Sequence, residues 1–314
     1  MLKNKKGKPK IAFLLPKLIN SAPIVYNKNL IENLQNDFDI TVFYFSGEDS
    51  IGFTCKTQKI DFKKRFNFEG FNLIQSFGYR PDVFLAKNRK FINAKLVTTL
   101  HSFIYKDLRS QFGLLASIFF GTWWLICLRQ FDEIVCLTNV MRDYYSSIIS
   151  VSKLKVIYSS HVLPVRKLKL ADSLEKKILD FKADKILLGV VANLTRQKGV
   201  DHVIKGISQS DSYRLVILGE GKYRKSLEKM ASDYGCENKC LFLGHVEEGH
   251  KYMPLMDIYI LCSYQEGFGL VGLEAAYYSL PIVCNDIPVF KEIYETGNVE
   301  YYQSNSLDTF ILAL

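Results

Sequence analysis

Short apolar runs recur along the whole chain and alternate with stretches of helical periodicity. Runs of this kind are typical of strands covered on both faces, as in parallel sheets, and the helical stretches between them indicate βαβ units. The runs interpreted as strands are residues 11–16, 40–45, 72–77, 82–86, 95–100, 133–137, 155–158, 186–191, 214–218, 240–243, 258–262 and 281–284. The pattern therefore predicts an α/β fold built on parallel sheets.

One stretch interrupts this alternation near the middle of the chain. Residues 161–185 are charged and contain no strand-like run, so we interpret them as a linker. A boundary in this linker divides the 314 residues into two Rossmann-like domains, 1–165 and 166–314. We expect the two domains to face each other across a cleft.

The net charge of +9 is distributed unevenly. The first 170 residues contain 26 Lys and Arg against 12 Asp and Glu, whereas the remainder contains 15 against 20. A basic half favours an anionic partner, which can be a membrane face, a nucleic acid or a phosphorylated substrate. Because the lysines are dispersed and no recognised nucleic-acid-binding motif is present, we expect no nucleic-acid partner.

The cysteines and acidic pairs give no metal signature. The seven cysteines are scattered without a Cys-x-x-Cys pair, which favours buried free thiols over a zinc site or disulfides. Asp37 and Asp39 form an Asp-x-Asp at a predicted helix-to-strand corner, which reads as a solvated turn. These patterns lead us to expect no required metal. No signal peptide is recognised at the start of the chain, so we expect a cytoplasmic protein.

The most apolar segment, residues 112–128, allows several interpretations. It is shorter than the roughly 20 residues that a membrane-spanning helix needs, so a span is disfavoured. One alternative is a helix that packs on its domain and dips into a bilayer interface, with Trp123 and Trp124 at the headgroup level. A fully buried core helix is the other, and the pattern leaves both open.

The segment with the clearest chemistry is 265–276, which reads Gln-Glu-Gly-Phe-Gly-Leu-Val-Gly-Leu-Glu-Ala-Ala. It follows the predicted strand 258–262, and a helical pattern then continues to about Ser279 and stops at Pro281. A glycine-rich turn that leads into a helix N-terminus offers backbone N–H groups to an anion such as a diphosphate. Two glutamates flank this turn and can accept hydrogen bonds from hydroxyls on both sides of the phosphates, as a sugar nucleotide requires.

Residues 266–281 resemble the signature of the family 4 retaining glycosyltransferases, which have the GT-B fold. That signature is a glutamate, seven residues, a second glutamate and then Ala-x-x-x-Gly-x-Pro, and Ser279 stands where the last glycine is usual. The resemblance implies that Glu266 contacts the donor sugar as a catalytic carboxylate and that Glu274 holds the ribose. It also implies donor contacts from the turn itself, at Gly267, Phe268, Gly269 and Leu270.

Other segments of the second half resemble donor-binding parts of the same family. In residues 190–199, Lys198 matches the lysine that grips the donor diphosphate, Asn193 stands where an arginine is usual, and Arg196 is interpreted as its substitute. The implied donor is a UDP- or GDP-linked sugar, with no additional cofactor. Two turns resemble those that border the nucleotide, and they contain Gly219 and Val246.

Three residues of the first half are candidates through the same resemblance. His101 follows the predicted strand 95–100, where the family often has a histidine near the donor sugar, and the resemblance implies a catalytic role for it. Arg80 lies in a segment that resembles the acceptor side, and it is either a partner for an acceptor phosphate or a solvated loop residue. Ala22 replaces the glycine pair of the first turn of many relatives.

The resemblance implies a retaining glycosyltransferase that moves a sugar from a nucleotide diphosphate to a saccharide acceptor. With the basic half and the apolar segment, it leads us to expect a lipid-linked acceptor, an anionic membrane surface and a peripheral position on the inner face of the plasma membrane. The implied process is bacterial O-antigen, capsule or exopolysaccharide synthesis. One alternative is a sugar-nucleotide epimerase or hydrolase. Another is an inactive relative that only binds donor, because the chain stops in a helix-like stretch, 307–314, where relatives usually continue.

Overall fold

The computed structural model describes residues 7–19, 22–47, 50–160, 170–295 and 298–314. The chain divides into two compact units, residues 1–158 and 159–314, called unit 1 and unit 2 below. The predicted domain boundary after residue 165 lies outside the described residues.

Unit 1 is built around one parallel sheet with the strand order β3-β2-β1-β4-β5-β6-β7. The interior strand β1 is apolar between its two terminal lysines, and its residues Ala12 to Leu15 are buried, as expected for a strand covered on both faces. The helices and strands of unit 1 are β1 (Lys10–Lys17), α1 (Ala22–Leu34), β2 (Asp39–Ser46), β3 (Lys56–Lys59), β4 (Leu73–Phe77), α2 (Tyr79–Asn88), β5 (Lys95–Leu100), α3 (Ile104–Phe112), α4 (Leu114–Leu128), β6 (Glu133–Cys136), α5 (Asn139–Ser146) and β7 (Leu154–Val156).

Unit 2 contains a second parallel sheet, with the strand order β10-β9-β8-β11-β12-β13. Helices α7 and α11 pack on one face of this sheet, and α6, α9 and α10 pack on the other. Its elements are α6 (Asp172–Lys182), β8 (Ile186–Val191), α7 (Val200–Ile207), β9 (Tyr213–Leu218), α8 (Arg224–Asp233), β10 (Cys240–Gly244), β11 (Ile258–Leu261), α9 (Leu270–Tyr277), β12 (Ile282–Asn285), α10 (Pro288–Ile293), β13 (Val299–Tyr302) and α11 (Leu307–Ala313). Two parallel-sheet α/β units confirm the predicted fold class.

The prediction of a strand at residues 82–86 is wrong, because this run forms the middle of helix α2. Its residues Asp82 to Leu85 are buried, and a short apolar run buried on every side reads the same in a helix as in a strand. The sequence pattern also missed β3 and β13. The edge strand β3 has the sequence Lys-Thr-Gln-Lys and no apolar residue to mark it. The predicted linker includes helix α6, whose Ile178 is fully buried.

The most apolar segment forms helix α4, which Gly113 separates from α3. Its inner face carries the small residues Ser117 and Gly121, and both pack against Tyr105: the Ser117 hydroxyl donates to the Tyr105 carbonyl at 2.6 Å, and a Cβ on Gly121 would lie 2.8 Å from the Tyr105 ring. Its other face is exposed to solvent, so the helix is not fully buried. No helix in the described ranges is long and apolar enough to cross a bilayer. The large apolar side chains that α4 exposes are Leu114, Leu115, Ile118, Phe119, Phe120, Trp123 and Ile126.

Candidate functional site

The strand order of unit 2 reverses between β8 and β11, which lie side by side although two strands separate them in sequence. In doubly wound sheets, ligands bind at the carboxyl ends of the strands at such a reversal. The two loops that leave these strand ends span residues 192–199 and 262–269. The predicted diphosphate motif and the predicted lysine segment therefore meet at one point of the sheet.

Lys198 and Glu266 form an ion pair across these two loops. The Ser263 hydroxyl donates a hydrogen bond to the same carboxylate oxygen, Oε1, at 2.8 Å. The other oxygen, Oε2, takes no hydrogen bond among those described between protein groups. The side chains of Lys198 and Glu266 are 27% and 14% exposed, so both reach solvent although they are mostly enclosed. The site thus holds a charged pair that a ligand can reach.

Backbone contacts hold the two loops together. The Cys262 thiol donates to the Lys198 carbonyl at 3.0 Å, and the backbone N–H of Tyr264 donates to the Gln197 carbonyl at 2.8 Å. Gly199 has a φ of +68°, and a Cβ there would lie 1.9 Å from the Cys262 carbonyl oxygen. Only glycine fits this position, because the second loop passes too close for a side chain.

The glycine-rich turn is stabilised by a tyrosine that the sequence analysis missed. Gly269 ends the turn with a φ of +91° immediately before α9, and its carbonyl accepts a 2.5 Å hydrogen bond from the Tyr294 hydroxyl. The same hydroxyl would lie 2.3 Å from a Cβ on Gly272, one turn further along α9. Tyr294 follows α10 and is 25 residues from Gly269, so no local pattern could have identified it.

Glu274 lies in the second turn of α9 and is half-buried. Burial removes water from its carboxyl group and raises its pKa to about 7. A desolvated carboxylate gains from hydroxyl donors that replace the lost water. The geometry is therefore suited to a ligand that brings hydroxyl groups.

Glycines at the ends of β9 and β10 bring the neighbouring turns close to the loop after β8. Gly219 has a φ of +145°, and a Cβ there would lie 1.8 Å from the Ala192 carbonyl oxygen. Its N–H donates to the Gly244 carbonyl at 2.7 Å. A Cβ on Gly221 would lie 2.7 Å from Oδ1 of Asn193, so the predicted residues Gly219 and Asn193 border one crowded turn.

The remaining predicted donor-side residues differ in exposure. Arg196 is exposed at the start of the 3-10 turn Arg196–Lys198. Val246 is partly buried and packs on the apolar cluster below the loops. Gly267 and Phe268 are buried, while Leu270 begins α9 and is partly exposed.

The predicted residues of unit 1 lie near the corresponding edge of the first sheet. His101 follows β5, and its ring contacts those of Phe77 and Tyr26 at 4.5 and 5.4 Å between centroids. Burial lowers its pKa to about 4, so the imidazole is neutral near pH 7. Its Nε2 is buried and makes no hydrogen bond with the residues that the structure describes. Arg80 is exposed in the first turn of α2.

Ala22 is the first residue of α1, and its side chain lies outside the described residues. In the part of the chain that the structure describes, no group of His, Cys, Asp and Glu could hold a metal ion.

A buried carboxyl group of α2 was also missed. Asp82, fully buried in α2, accepts hydrogen bonds from Ser76 at 2.6 Å, Thr98 at 2.9 Å and the Trp124 indole at 2.7 Å. Burial raises its pKa to about 7, although the three donors act in the opposite direction. This network joins β4, β5, α2 and α4, and it was hidden because residues 82–86 read as a strand.

Comparison with known proteins agrees with this geometry. Residues 172–307 match the family model of the group 1 glycosyl transferases. The O-antigen biosynthesis glycosyltransferase WclY of Escherichia coli is 27% identical over 299 residues, which cover 91% of this chain and 82% of WclY. The O-antigen chain mannosyltransferase RfbU of Salmonella typhimurium is 28% identical over 226 residues, which cover 66% of this chain and 61% of RfbU.

Solved structures with the same fold cover nearly all of this chain. Anabaena Alr3699/HepE, crystallised with UDP and glucose, has a TM-score of 0.80 at 17% identity, covering 97% of this chain and 88% of that one. WaaG, a glycosyltransferase involved in lipopolysaccharide biosynthesis, has a TM-score of 0.68 at 16% identity, covering 96% and 90%. At these identities the similarity establishes the GT-B fold.

Proposed function

We propose that this chain, whose residues 172–307 match the family model of the group 1 glycosyl transferases, moves a sugar from a nucleotide diphosphate to a saccharide acceptor with retention of anomeric configuration. The acceptor is a growing bacterial surface polysaccharide carried on a lipid. The O-antigen enzymes among its relatives support this choice of process.

The observation that carries the proposal is the contact between Lys198 and Glu266 beside the glycine-rich turn. In this proposal Lys198 binds the donor diphosphate, and Oε2 of Glu266 accepts a hydrogen bond from a sugar hydroxyl. Binding of a diphosphate would draw Lys198 toward the phosphates and release part of Glu266 for the sugar. The two members of the ion pair would therefore bind different parts of the donor, Lys198 the diphosphate and Glu266 the sugar.

In the transfer step, the bond between the sugar C1 and the diphosphate oxygen breaks while the acceptor oxygen bonds to C1 on the same face. The acceptor hydroxyl proton passes to the leaving phosphate oxygen. Lys198 and the backbone N–H groups of residues 267–270 stabilise the charge that builds up on that oxygen. Each hydrogen bond to a charged group is worth about 1.5–3 kcal/mol. Two or three such bonds to the leaving diphosphate would therefore supply a large part of the free energy with which the donor site stabilises the transfer step.

Glu274 is proposed to bind the ribose of the donor. Burial raises the pKa of its carboxyl to about 7, and hydrogen bonds from two ribose hydroxyls would favour its ionised form. UDP is the nucleotide to test first, since a protein of the same fold was crystallised with UDP and glucose.

His101 is proposed to contact the donor sugar from unit 1. A neutral imidazole with a buried, unpartnered Nε2 can accept a hydrogen bond from a sugar hydroxyl or donate one, according to its tautomer. An unsatisfied buried polar atom costs about 1–3 kcal/mol, which a hydroxyl would relieve.

Helix α4 is proposed to bring unit 1 to an anionic membrane surface on the inner face of the plasma membrane. Leu115 and Phe119 are 84% and 72% exposed on a face that is apolar along its length, and exposed Arg109 and Arg129 lie beside the two ends of the helix. Apolar side chains at the acyl boundary with cations at the headgroups are the features of an interfacial helix. A lipid-linked acceptor would then be delivered to unit 1.

Thermal-shift measurements with a panel of nucleotide sugars test the donor site. We expect one nucleotide sugar to raise the melting temperature of the wild type and of Lys177→Ala, an exposed lysine of α6, but not of Lys198→Ala. No shift with any nucleotide sugar would contradict the proposal. Free sugar released from the bound donor without acceptor would instead identify a hydrolase.

Sedimentation with vesicles that contain anionic lipid tests the membrane contact. We expect Leu115→Glu/Phe119→Glu to lose most binding at low salt, while Leu312→Glu, which alters an 86%-exposed leucine of α11 in unit 2, retains it. Equal binding by the wild type and both variants would exclude α4 as the contact.

A further inference from the structure

Two adjoining cavities in unit 1 lie outside the donor site. Their volumes are about 510 and 380 Å³, within the range of small-molecule sites, and both are lined by Phe62 and Lys63. The larger cavity opens where β2 and β3 end and α2 begins. The smaller one continues along α2 as far as Asn88. We call the two together the Phe62 pockets.

The side chains lining the Phe62 pockets are strongly basic. Against the single carboxylate of Asp61, the pockets present six cations: Lys59, Lys63, Lys64, Arg65, Arg80 and Lys87. None of the six forms an ion pair with a described residue. Unpaired like charges repel one another, so this arrangement favours a bound anion that carries more than one negative charge.

The base of the pockets is aromatic. Phe62 packs edge-on against Phe45 at 5.2 Å between centroids and lies 6.1 Å from Phe84, which is buried. The guanidinium of Arg65 stacks over the Phe91 ring at 3.5 Å, which restricts its position without using its hydrogen-bond donors. An aromatic contact therefore positions one of the six cations.

We propose that the Phe62 pockets bind a phosphate or diphosphate group carried by the acceptor, an inference that rests on the proposed glycosyl transfer. The pockets open at the end of α2 that carries Arg80, and the neighbouring residue Tyr79 packs against Phe120 and Trp124 of α4. A phosphate held there lies next to the helix with the exposed apolar face. The chemistry is the same whether the phosphate links a saccharide to a lipid or belongs to a free phosphorylated saccharide.

Equilibrium dialysis with labelled inorganic pyrophosphate tests the site on the full chain. We expect two bound equivalents, one in the Phe62 pockets and one in the donor site. Lys63→Glu/Lys64→Glu should weaken the first at least tenfold and leave the second, and Lys198→Ala should do the reverse. Lys95→Glu/Lys155→Glu changes the net charge equally through exposed lysines of β5 and β7 and should keep both.

Two failures are distinguishable in this experiment. If both double variants retain the same Lys198-independent equivalent, or if that equivalent is missing from the wild type, the Phe62 pockets are not a phosphate site. If the wild type binds a single equivalent that Lys198→Ala retains and Lys63→Glu/Lys64→Glu loses, the proposed donor site fails and the Phe62 pockets are supported.

Vesicles distinguish the two sources of the phosphate. With phosphatidylcholine vesicles that contain phosphatidic acid, a lipid-borne phosphate predicts that Lys63→Glu/Lys64→Glu binds at least threefold less than Lys95→Glu/Lys155→Glu. A free phosphorylated saccharide predicts equal vesicle binding by the two double variants, together with the loss of pyrophosphate binding in the first. Both results support the site, and they assign its ligand to different acceptors.

Discussion

The carboxyl-end edges of the two sheets differ in the charge state of their buried and partly buried groups. In unit 2 the loops meet in a charged pair, Lys198 and Glu266, that reaches solvent. In unit 1 the groups near the ends of β4 and β5 are a neutral His101 and the buried carboxyl of Asp82, and the cations of the larger Phe62 pocket lie on the same edge, at the ends of β2 and β3 and the start of α2. Under the proposed function, unit 2 would bind the ionic part of a donor, and the groups near β4 and β5 would contact uncharged hydroxyls.

The largest effect is expected at the charged pair. Glu266→Gln leaves Lys198 without its counter-charge and removes the carboxylate that is proposed to hold the sugar, so turnover should fall about 100-fold, as when one transition-state hydrogen bond is removed. Donor affinity should change much less. Steady-state kinetics with a saturating donor measure this, and Glu300→Gln on β13 is the control. Full turnover in Glu266→Gln would show that the pair is structural only.

A second prediction concerns stability in unit 1. An unfolded Asp titrates near 3.8, whereas folded Asp82 titrates at about 7, so between these values the folded chain keeps a proton that the unfolded chain releases. The stabilising contribution is complete below about pH 4 and is lost as the pH rises through 7. Between pH 5 and 7 the free energy of unfolding should fall by on the order of 2 kcal/mol.

Urea denaturation followed by tryptophan fluorescence measures this effect. Both tryptophans lie in α4, and Trp124 donates directly to Asp82, so the signal reports on unit 1 alone. Asp82→Asn should remove the pH dependence, and Asp61→Asn, an exposed carboxylate, should keep it. The same pH slope in Asp82→Asn would assign the dependence to another group.

A third prediction separates the two edges by pH dependence of binding. Glu274 is partly protonated near pH 7 in the free protein, and ribose hydroxyls favour its ionised form. The affinity for UDP-glucose, whose diphosphate does not titrate in this range, should therefore fall about tenfold between pH 8 and pH 6. Calorimetry should find Glu274→Gln weaker at pH 8 and independent of pH. A pH-independent wild type would remove the ribose assignment.

The smallest effect is expected at Ser279, just after α9. Its φ of +56° is in the left-handed region, and its N–H and that of Leu280 close the helix on Ala276 and Ala275. Ser279→Gly should raise the free energy of unfolding by about 1 kcal/mol with unchanged turnover, because glycine adopts this conformation without strain.

The control for that substitution is Lys177→Gly, at an exposed position in the interior of helix α6. A glycine in a helix interior should lower the free energy of unfolding by roughly 0.5–1 kcal/mol. Thermal denaturation of both variants measures the two opposite shifts. A destabilised Ser279→Gly would mean that the serine side chain makes a contact worth more than the strain.

Several elements could be predicted because their signal is local. The apolar runs around β1 and β8 indicated parallel sheets, and the glycine-rich turn at 265–276 indicated a strand, turn and helix, which β11 and α9 confirm. Helix α2 was mistaken for a strand because burial on every side removes the polar face that distinguishes the two periods. The roles of the individual site residues stay predictions until the variants are measured.

The order of residues along this chain was sufficient to specify two parallel-sheet units and a glycine-rich turn between a strand and a helix, because strand runs and glycine turns depend on neighbours in sequence. The packed fold alone brings Glu266 onto Lys198, 68 residues away, and Tyr294 onto Gly269. It also buries Asp82 among three donors from other elements. These contacts join distant segments, and their pKa values depend on the water that packing removes, which no local pattern records.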